Sequence, residues 1–307
     1  MSQQEHSTRG APDPERRLPS TLRLGAVHLT VSDLDRSVAY YEDDIGLGLR
    51  HREDGVARMG VGGEDLLVLY EDPGARRAGR HAGLYHFALL FPSREELARA
   101  ALRLAARKTQ IQGASDHGTH EAIYLPDPDG NGIELAADRP RELWPRPLDY
   151  ASGPQPLDLD DLLATVAGEE VRGKAGPGLV VGHVHLHVGD LERGLAFNRD
   201  VLGFELMSFM PGAAAFVAAG GYHHHLGFNV WRGEGVPPAP AGRVGLRHWT
   251  VVLEDPEEVA AVGGRTREAG IATEEREGGI LVRDPWGIAV LFVTADRERA
   301  RAVPPAS

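Results

Sequence analysis

The side chains best suited to chemistry lie between His117 and Glu134, in the stretch HGTHEAIYLPDPDGNGIE. In it, a histidine precedes Tyr124, and a Pro/Gly turn then delivers a glutamate into a short apolar segment. Two upstream histidines, His28 and His86, also lie in apolar runs. Two histidines and one carboxylate form a three-ligand metal site that leaves positions open for a substrate and dioxygen. The pattern therefore predicts a reactive metal centre.

Composition limits the kind of protein and the kind of metal site. The chain has 307 residues, no cysteine and a formal net charge of −12. The length favours two domains, and the lack of cysteine means that any metal must be held by His, Asp or Glu. Scattered basic residues on an acidic chain disfavour a nucleic-acid partner or an anionic membrane surface. With neither a signal-peptide core nor an apolar run of about 20 residues, we expect a cytoplasmic protein.

The sequence repeats itself. LGAVHLTVSDLDRSVAYYEDDIGLGL returns 157 residues later as VGHVHLHVGDLERGLAFNRDVLGFEL, which aligns His28 with His185. A weaker similarity relates the apolar segments LYHFALLF and LRHWTVVL, which contain His86 and His248. Such self-similarity predicts four copies of one supersecondary unit.

Each unit has the pattern of a βαβββ module. AVHLTV alternates as a strand, Ser32 or Asp33 then caps a helix that ends at Gly46, and two or three short strands follow. We expect an α+β fold in which four modules pair into two domains with cupped mixed sheets. The predicted divisions are a disordered tail at 1–21, an N-terminal domain with the metal site at 22–138, a linker with one short helix at 139–178, a C-terminal domain at 179–296 and a tail at 297–307.

Paired modules of this kind, with a histidine in the first strand and a glutamate in the last, resemble the vicinal oxygen chelate superfamily. That superfamily includes glyoxalases, antibiotic-resistance binding proteins and type I extradiol dioxygenases. The resemblance covers 22–138 and 179–294, and the longer arrangement is similar to bacterial two-domain catechol 2,3-dioxygenases. Ser115 is the one departure from the extradiol signature, whose matching residues here are His117, Ile123, Tyr124, Asp127, Pro128, Gly130 and Glu134.

The resemblance implies an extradiol dioxygenase that cleaves a catechol-type aromatic diol with O2. It implies Fe(II), or alternatively Mn(II), held by His28, His86 and Glu134. It also implies that His117 is the acid-base residue and that Tyr124 hydrogen-bonds the substrate oxygen. A homo-oligomer is expected. The residues of the Pro/Gly turn are interpreted as turn formers without a chemical role.

The C-terminal half carries histidines but lacks a carboxylate at the key position. Leu291 stands where Glu134 stands in the first half. An all-histidine metal site remains possible, but without the carboxylate that balances the metal charge we favour a structural role for this half. The histidines concerned are His185, His223, His224, His225 and His248.

Two other functions stay open. A glyoxalase-type metal-dependent isomerase or lyase would usually require a fourth protein ligand, and the first module offers only Leu66 or Leu67 at the position matching Glu134. A non-catalytic binding protein for an aromatic drug would need no metal. The sequence does not identify the diol.

Overall fold

The computed structural model of the protein describes residues 16–148, 150 and 152–296. After β1 (Arg23–Leu24), module one (27–71) comprises β2 (Val27–Val31), α1 (Leu34–Tyr40), β3 (Gly48–Glu53), β4 (Val56–Val61) and β5 (Glu64–Glu71). Module two (83–138) comprises β6 (Gly83–Phe91), α2 (Arg94–Arg107), β7 (Gly113–Asp116), β8 (His120–Pro126) and β9 (Gly132–Asp138). These elements match the predicted βαβββ order.

The second half repeats the order after the linker. The linker contains a short 3₁₀ helix (Arg141–Leu143), β10 (Gln155–Pro156) and α3 (Leu159–Ala164). Module three (180–229) comprises β11 (Val180–His187), α4 (Leu191–Leu195), β12 (Glu205–Met210), β13 (Ala214–Ala218) and β14 (Leu226–Asn229). Module four (245–294) comprises β15 (Gly245–Leu253), α5 (Pro256–Glu268), β16 (Thr273–Arg276), β17 (Gly279–Arg283) and β18 (Ala289–Thr294).

Each module helix begins at a side chain that accepts a backbone N–H, which satisfies one otherwise unpaired donor of the first turn. In modules one and three the helix continues into a π-helical turn, Tyr41–Ile45 and Ala196–Val201. The longest helix, α2, has 14 residues. No helix in the described part of the chain is long and apolar enough to cross a membrane. The four N-cap residues are Asp33, Ser93, Asp190 and Asp255.

The modules pair between the halves of the chain, not within them. One nine-stranded sheet joins modules one and four through antiparallel β2 and β15, and the other joins modules two and three through antiparallel β6 and β11. The α+β fold of four modules in two sheets is thus confirmed. The division at 22–138 and 179–296 does not describe how the sheets are built, because each sheet takes one module from each half. Periodicity defines the strands of a module but not which module its open edge will join.

Arginines on the helices of modules two and four join the modules of each half: Arg103 is buried and Arg265 is partly exposed. Arg103 of α2 donates hydrogen bonds to the carbonyl oxygens of Asp44 and Ile45, at the end of the π-helical turn in module one. Arg265 of α5 repeats this contact on the corresponding turn of module three. Helix contacts therefore join the two modules within a half, whereas strand pairing joins modules of different halves.

Parts of the predicted tail and linker are packed against the core. Leu18 is buried, and its N–H donates to the carbonyl of Gly203. The prediction of disorder is therefore wrong for 16–21, while 1–15 and 297–307 lie outside the described residues. The linker contains one α-helix, as predicted, and its Trp144 and Leu162 are buried.

Candidate active site

Three adjacent strands of the second sheet place Glu134, Ala88 and His183 in one row. Ala88 on β6 pairs with Glu134 on β9 to one side and with His183 on β11 to the other. Paired residues on neighbouring strands present their side chains on the same face, and so does His86, two residues before Ala88. Because alanine is small, the three longer side chains can converge above it.

The distances among these side chains fit a metal ion. Glu134 Oε2 lies 3.0 Å from His86 Nε2 and 3.2 Å from His183 Nε2, and the two imidazole nitrogens are 3.2 Å apart. Neighbouring ligands at about 2.1 Å from a metal are about 3.0 Å apart in an octahedron and about 3.4 Å apart in a tetrahedron. The three atoms are therefore spaced as neighbouring ligands of one metal ion, and they are the donor set of a two-histidine, one-carboxylate site.

The electrostatics of Glu134 also fit a cation. The side chain is buried, and its Oε1 has no hydrogen-bond partner in the described part of the chain, although His120 Nε2 is 3.1 Å away. Burial raises the pKa of this carboxyl, but His183, His120 and His86 outweigh burial and hold the pKa well below its usual range. A buried carboxylate with an unsatisfied oxygen costs several kcal/mol unless a positive charge compensates it. A divalent metal would supply that charge.

The predicted ligand His28 is not part of this cluster. It lies on β2 of the other sheet, where its Nδ1 is 3.0 Å from Tyr70 Oη and its ring stacks on His248 at 3.9 Å. The structure therefore brings together two of the three predicted ligands, His86 and Glu134, and supplies His183 in place of His28. The prediction failed because it paired modules within one half.

A signal for His183 was present in the sequence. His86 and His183 each lie seven residues before the N-cap of their module's helix, whereas His28 lies five residues before its own. The seventh position in module one is Ala26. Counting back from the N-cap therefore identifies equivalent strand positions, which matching histidine to histidine does not.

The first sheet repeats the framework of the site without its ligands. His248 lies seven residues before the N-cap of α5, but the residue matching Glu134 on the last strand is Leu291, which is fully buried. The remaining ligand position, which matches that of His183, is occupied by Ala26 of module one. Only one of the three ligand positions in the first sheet therefore holds a histidine. Module four therefore has no carboxylate at the position matching Glu134, as the sequence predicted.

The two predicted catalytic residues lie together beside Glu134. His117 Nε2 is 2.7 Å from Tyr124 Oη, and Tyr124 pairs with Glu134 across β8 and β9. Burial lowers the pKa of His117 to about 4 and raises the pKa of Tyr124 well above its ordinary value. Both groups are therefore neutral near pH 7, and one hydrogen bond joins them.

Module one holds the turn that precedes Glu134. Asp127 accepts hydrogen bonds from the backbone and side-chain N–H groups of Asn131 and from Tyr41 Oη, at 2.8–3.0 Å. Tyr40 Oη donates to the carbonyl of Pro126, and Gly130 has a φ of +87°, where a side chain would be strained. The turn residues thus act as turn formers, and module one positions the site without supplying a ligand.

A cavity of about 440 Å³ opens over the cluster. Its walls come from modules two and three and from the linker, which contributes Tyr150. The lining contains no lysine or arginine within the described part of the chain, and Glu134 is its only carboxylate. Lining residues that were not predicted as site residues include Tyr85, His120, Tyr150, His183, Phe216 and Trp231. His185 and His224 also line the cavity, although the sequence indicated them only for an all-histidine metal site.

The C-terminal half thus contributes residues of module three to the candidate site, which the prediction of a chiefly structural half did not include. His183 contacts Glu134, and His224 lines the cavity. His225 is different: its Nδ1 accepts the N–H of Ala219, and it does not line the cavity. A structural role remains the prediction for His225 and His248.

Comparisons with known proteins agree with this architecture. The family model described as the Glyoxalase/Bleomycin resistance protein/Dioxygenase superfamily matches residues 23–135 and 180–292. The chain is 42% identical over 277 residues to Catechol-2,3-dioxygenase of Bacillus subtilis (strain 168), which covers 88% of this chain and 96% of that protein. A stretch of 122 residues is 28% identical to Biphenyl-2,3-diol 1,2-dioxygenase 3 of Rhodococcus globerulus, covering 38% and 64% of the two proteins.

Among solved structures, glyoxalase I from Zea mays has the same fold. It superposes with a TM-score of 0.59 at 21% identity and covers 92% of this chain and 95% of its own. This likeness concerns the fold alone. The family match in both halves, together with the 42% identity to the Bacillus protein over 88% of this chain, leads to one conclusion: the chain belongs to the Glyoxalase/Bleomycin resistance protein/Dioxygenase superfamily.

Proposed function

We propose that the protein is a metal-dependent extradiol dioxygenase, which opens the ring of a catechol-type diol beside its two hydroxyls with O2. The observation that carries this proposal is the metal-ligand spacing of His86, Glu134 and His183 beneath a cavity that His117 and Tyr124 also line. The similarity to Catechol-2,3-dioxygenase over most of the chain supports the same reaction.

The metal is proposed to be Fe(II), with Mn(II) as the alternative. When bound, such a metal supplies the redox chemistry and the open coordination positions at which a diol and dioxygen react. Its protein ligands would be His86, Glu134 and His183. The homo-oligomeric state and the cytoplasmic location stay predictions.

The remaining site residues manage protons and exclude water. His117 Nε2 makes a 2.7 Å hydrogen bond to Tyr124 Oη in the structure. When a diol binds, neutral His117 can exchange this bond for a diol hydroxyl, accept its proton at Nε2 and return it to the ring-opened product, and the released Tyr124 Oη can hydrogen-bond the substrate oxygen. Both oxygen atoms of O2 enter the product, so no proton is consumed overall. The aromatic side chains Tyr85, Tyr150 and Phe216 line the cavity and limit access of water.

The geometry does not favour a glyoxalase-type isomerase. That reaction would require a fourth protein ligand, and among the described residues the group around His86 and His183 contains only Glu134 in addition. A drug-binding protein would not need three ligating atoms at metal spacing.

An oxygen-uptake assay tests the proposal. Protein loaded anaerobically with Fe(II) should consume one O2 per catechol and produce a yellow ring-opened semialdehyde, and a His86→Ala variant should do neither. Diol binding without oxygen uptake, for every diol tried with either metal, would contradict the proposal and favour a binding protein.

A further inference from the structure

The cavity reaches the protein surface at Tyr85 and Trp231. Both side chains line the cavity, and they are 37% and 52% exposed. Their rings meet edge to face, with centroids 5.3 Å apart. The cavity volume of about 440 Å³ lies in the range of pockets for drug-sized ligands, which is more than catechol alone requires. A diol placed over Glu134 could therefore carry a substituent that extends towards these two aromatic side chains.

Three arginines lie at this opening, and we call Arg77, Arg80 and Arg232 the arginine rim. Arg232 directly follows Trp231 in the chain, and its Nη1 donates to the carbonyl of His81 at 3.0 Å. Arg80 Nε donates to the carbonyl of Arg232 at 3.1 Å. Each contact fixes a guanidinium group but uses only one of its five N–H donors. The remaining donors are available to a ligand.

Arg77 reaches the same end of the cavity. A Cβ atom on Gly130 would lie 3.2 Å from Arg77 Cζ, and Gly132, two residues after Gly130, lines the cavity. Gly132 also pairs with His86, the residue that follows Tyr85 on β6. The rim therefore combines the loop before β6 with the loop after β14, and it contacts the turn before β9.

The positive charge of the rim is not neutralised by a carboxylate. Arginines elsewhere form ion pairs, such as Arg94 with Glu121 and Arg139 with Asp116. Within the described part of the chain, none of the rim arginines forms such a pair. Burial lowers the pKa of Arg232, and no acidic group offsets this effect. On a chain with a formal net charge of −12, three unneutralised guanidinium groups beside one cavity indicate a site for an anion.

We propose that the arginine rim binds a carboxylate that the diol carries at the end of a flexible chain. The diol part of this inference rests on the proposed function, whereas the anion site rests on the rim itself. A guanidinium group pairs with a carboxylate through two parallel N–H donors, and Tyr85 and Trp231 would contact the apolar part of the chain. A carboxyl group attached directly to the ring would stay inside the cavity, whose described lining contains no arginine or lysine.

Oxygen uptake with diols that differ only at the end of the chain tests the inference. The substrates are 3-(3,4-dihydroxyphenyl)propanoate, its 2,3-dihydroxyphenyl isomer and the amides of both acids. For the isomer that reacts faster, kcat/KM of the acid should exceed that of its amide by at least about tenfold, because the charged hydrogen bonds form only with the acid. Arg232→Gln and Arg80→Gln should lower kcat/KM for the acid much more than for the amide.

Arg283→Gln is the matched control. Arg283 is also exposed and donates to a backbone carbonyl, that of Gly287, but it lies in the other sheet. Its acid-to-amide ratio should stay within about twofold of wild type. A ratio near one in wild type, or a loss in Arg283→Gln as large as that in Arg232→Gln, would overturn the inference.

An acidic surface of a second copy of the chain is the alternative partner for these arginines. In that case Arg232→Gln and Arg80→Gln would form smaller oligomers in size-exclusion chromatography and would keep the wild-type acid-to-amide ratio. That result would overturn the substrate-binding role.

Calorimetry without oxygen separates the rim from the reaction. Metal-loaded wild type should bind the acid more tightly than its amide, and high salt should reduce the difference because it screens exposed charges. Equal affinity for acid and amide at low salt would overturn the inference. Tight binding of the acid that depends on Arg232, in a protein that oxidises no diol, would support the rim and reject only the proposed function.

Discussion

Glu134 and His183 meet across Ala88, with Oε2 and Nε2 3.2 Å apart, although they belong to different halves of the chain. The contact exists because β6 of module two pairs with β11 of module three. The duplicated halves therefore share one candidate metal centre, and neither half holds its complete ligand set.

The first prediction concerns metal content. His183→Ala should reduce metal affinity by at least about a hundredfold, because two remaining protein ligands hold a divalent ion poorly. His28→Ala should keep wild-type metal content, since His28 lies in the other sheet. Elemental analysis of protein loaded anaerobically with iron measures both, with circular dichroism as a check on folding. Metal loss in His28→Ala and retention in His183→Ala would exclude this ligand set.

The sequence predicted the components of the site better than their combination. His117, Tyr124 and Glu134 could be found because they lie within one module, where chain connectivity fixes their spacing. His86 could be found as a polar residue in an apolar strand. His183 was missed because its place depends on which strand edges join, and the open edges of all four modules have similar patterns.

The linker contribution was missed for a related reason. Tyr150 lies in a segment rich in proline and glycine, where no periodicity indicates which face a side chain presents, yet it lines the cavity. Its Oη lies 3.3 Å from the hydroxyl of Thr119. Only the tertiary packing of the linker places it there.

The second prediction separates chemistry from metal binding. His117→Ala should retain metal but lower turnover about 100- to 10,000-fold, the usual contribution of an acid-base residue. Tyr124→Phe keeps the ring and removes the 2.7 Å hydrogen bond, so its loss should be smaller. Steady-state oxygen uptake per bound metal gives both values. If His117→Ala stays within tenfold of wild type, His117 is not the acid-base residue.

The third prediction concerns the buried arginine between modules one and two. Arg103→Leu would leave the carbonyls of Asp44 and Ile45 without their donor, at about 1–3 kcal/mol for each buried unsatisfied group. We expect the free energy of unfolding to fall by about 3 kcal/mol in urea titration. Arg107→Leu, one turn later on the same helix, removes only an exposed ion pair with Asp43 and should cost less than about 1 kcal/mol. Equal effects of the two changes would contradict the proposed packing role.

The fourth prediction is a pH dependence of stability. Burial, followed by the charges of His183 and Arg141, lowers the pKa of His225 to about 4 in the folded protein, below the ordinary value of 6.5. The unfolded chain then binds more protons between these values, so stability is full above pH 6.5 and is lost as the pH falls towards 4. The contribution is about 3 kcal/mol at most.

Comparison of wild type with His225→Gln isolates this group from the other buried histidines. Chemical denaturation at several pH values should give a shallower loss of stability in the variant below pH 6.5. Parallel curves would show that His225 titrates alike in the folded and unfolded states.

The last prediction concerns the charge of the substrate. Because the described cavity lining has no lysine or arginine and contains the carboxylate of Glu134, a carboxyl group on the diol ring would be buried without a cationic side chain to pair with it. Such burial costs several kcal/mol. We expect kcat/KM for 4-methylcatechol to exceed that for 3,4-dihydroxybenzoate by at least about a hundredfold.

A cationic side chain introduced into the cavity should reduce the difference between the kcat/KM values of the two diols. Met210 lines the cavity, is partly exposed and is not a metal ligand. Met210→Arg would provide a partner for the carboxylate, so the ratio of the two kcat/KM values should fall mainly because the acidic diol reacts faster. Met210→Gln is the uncharged control of similar length and should leave the ratio near that of wild type. If wild-type protein uses both diols equally well, or if the glutamine variant changes the ratio as much as arginine does, cavity charge does not select the substrate.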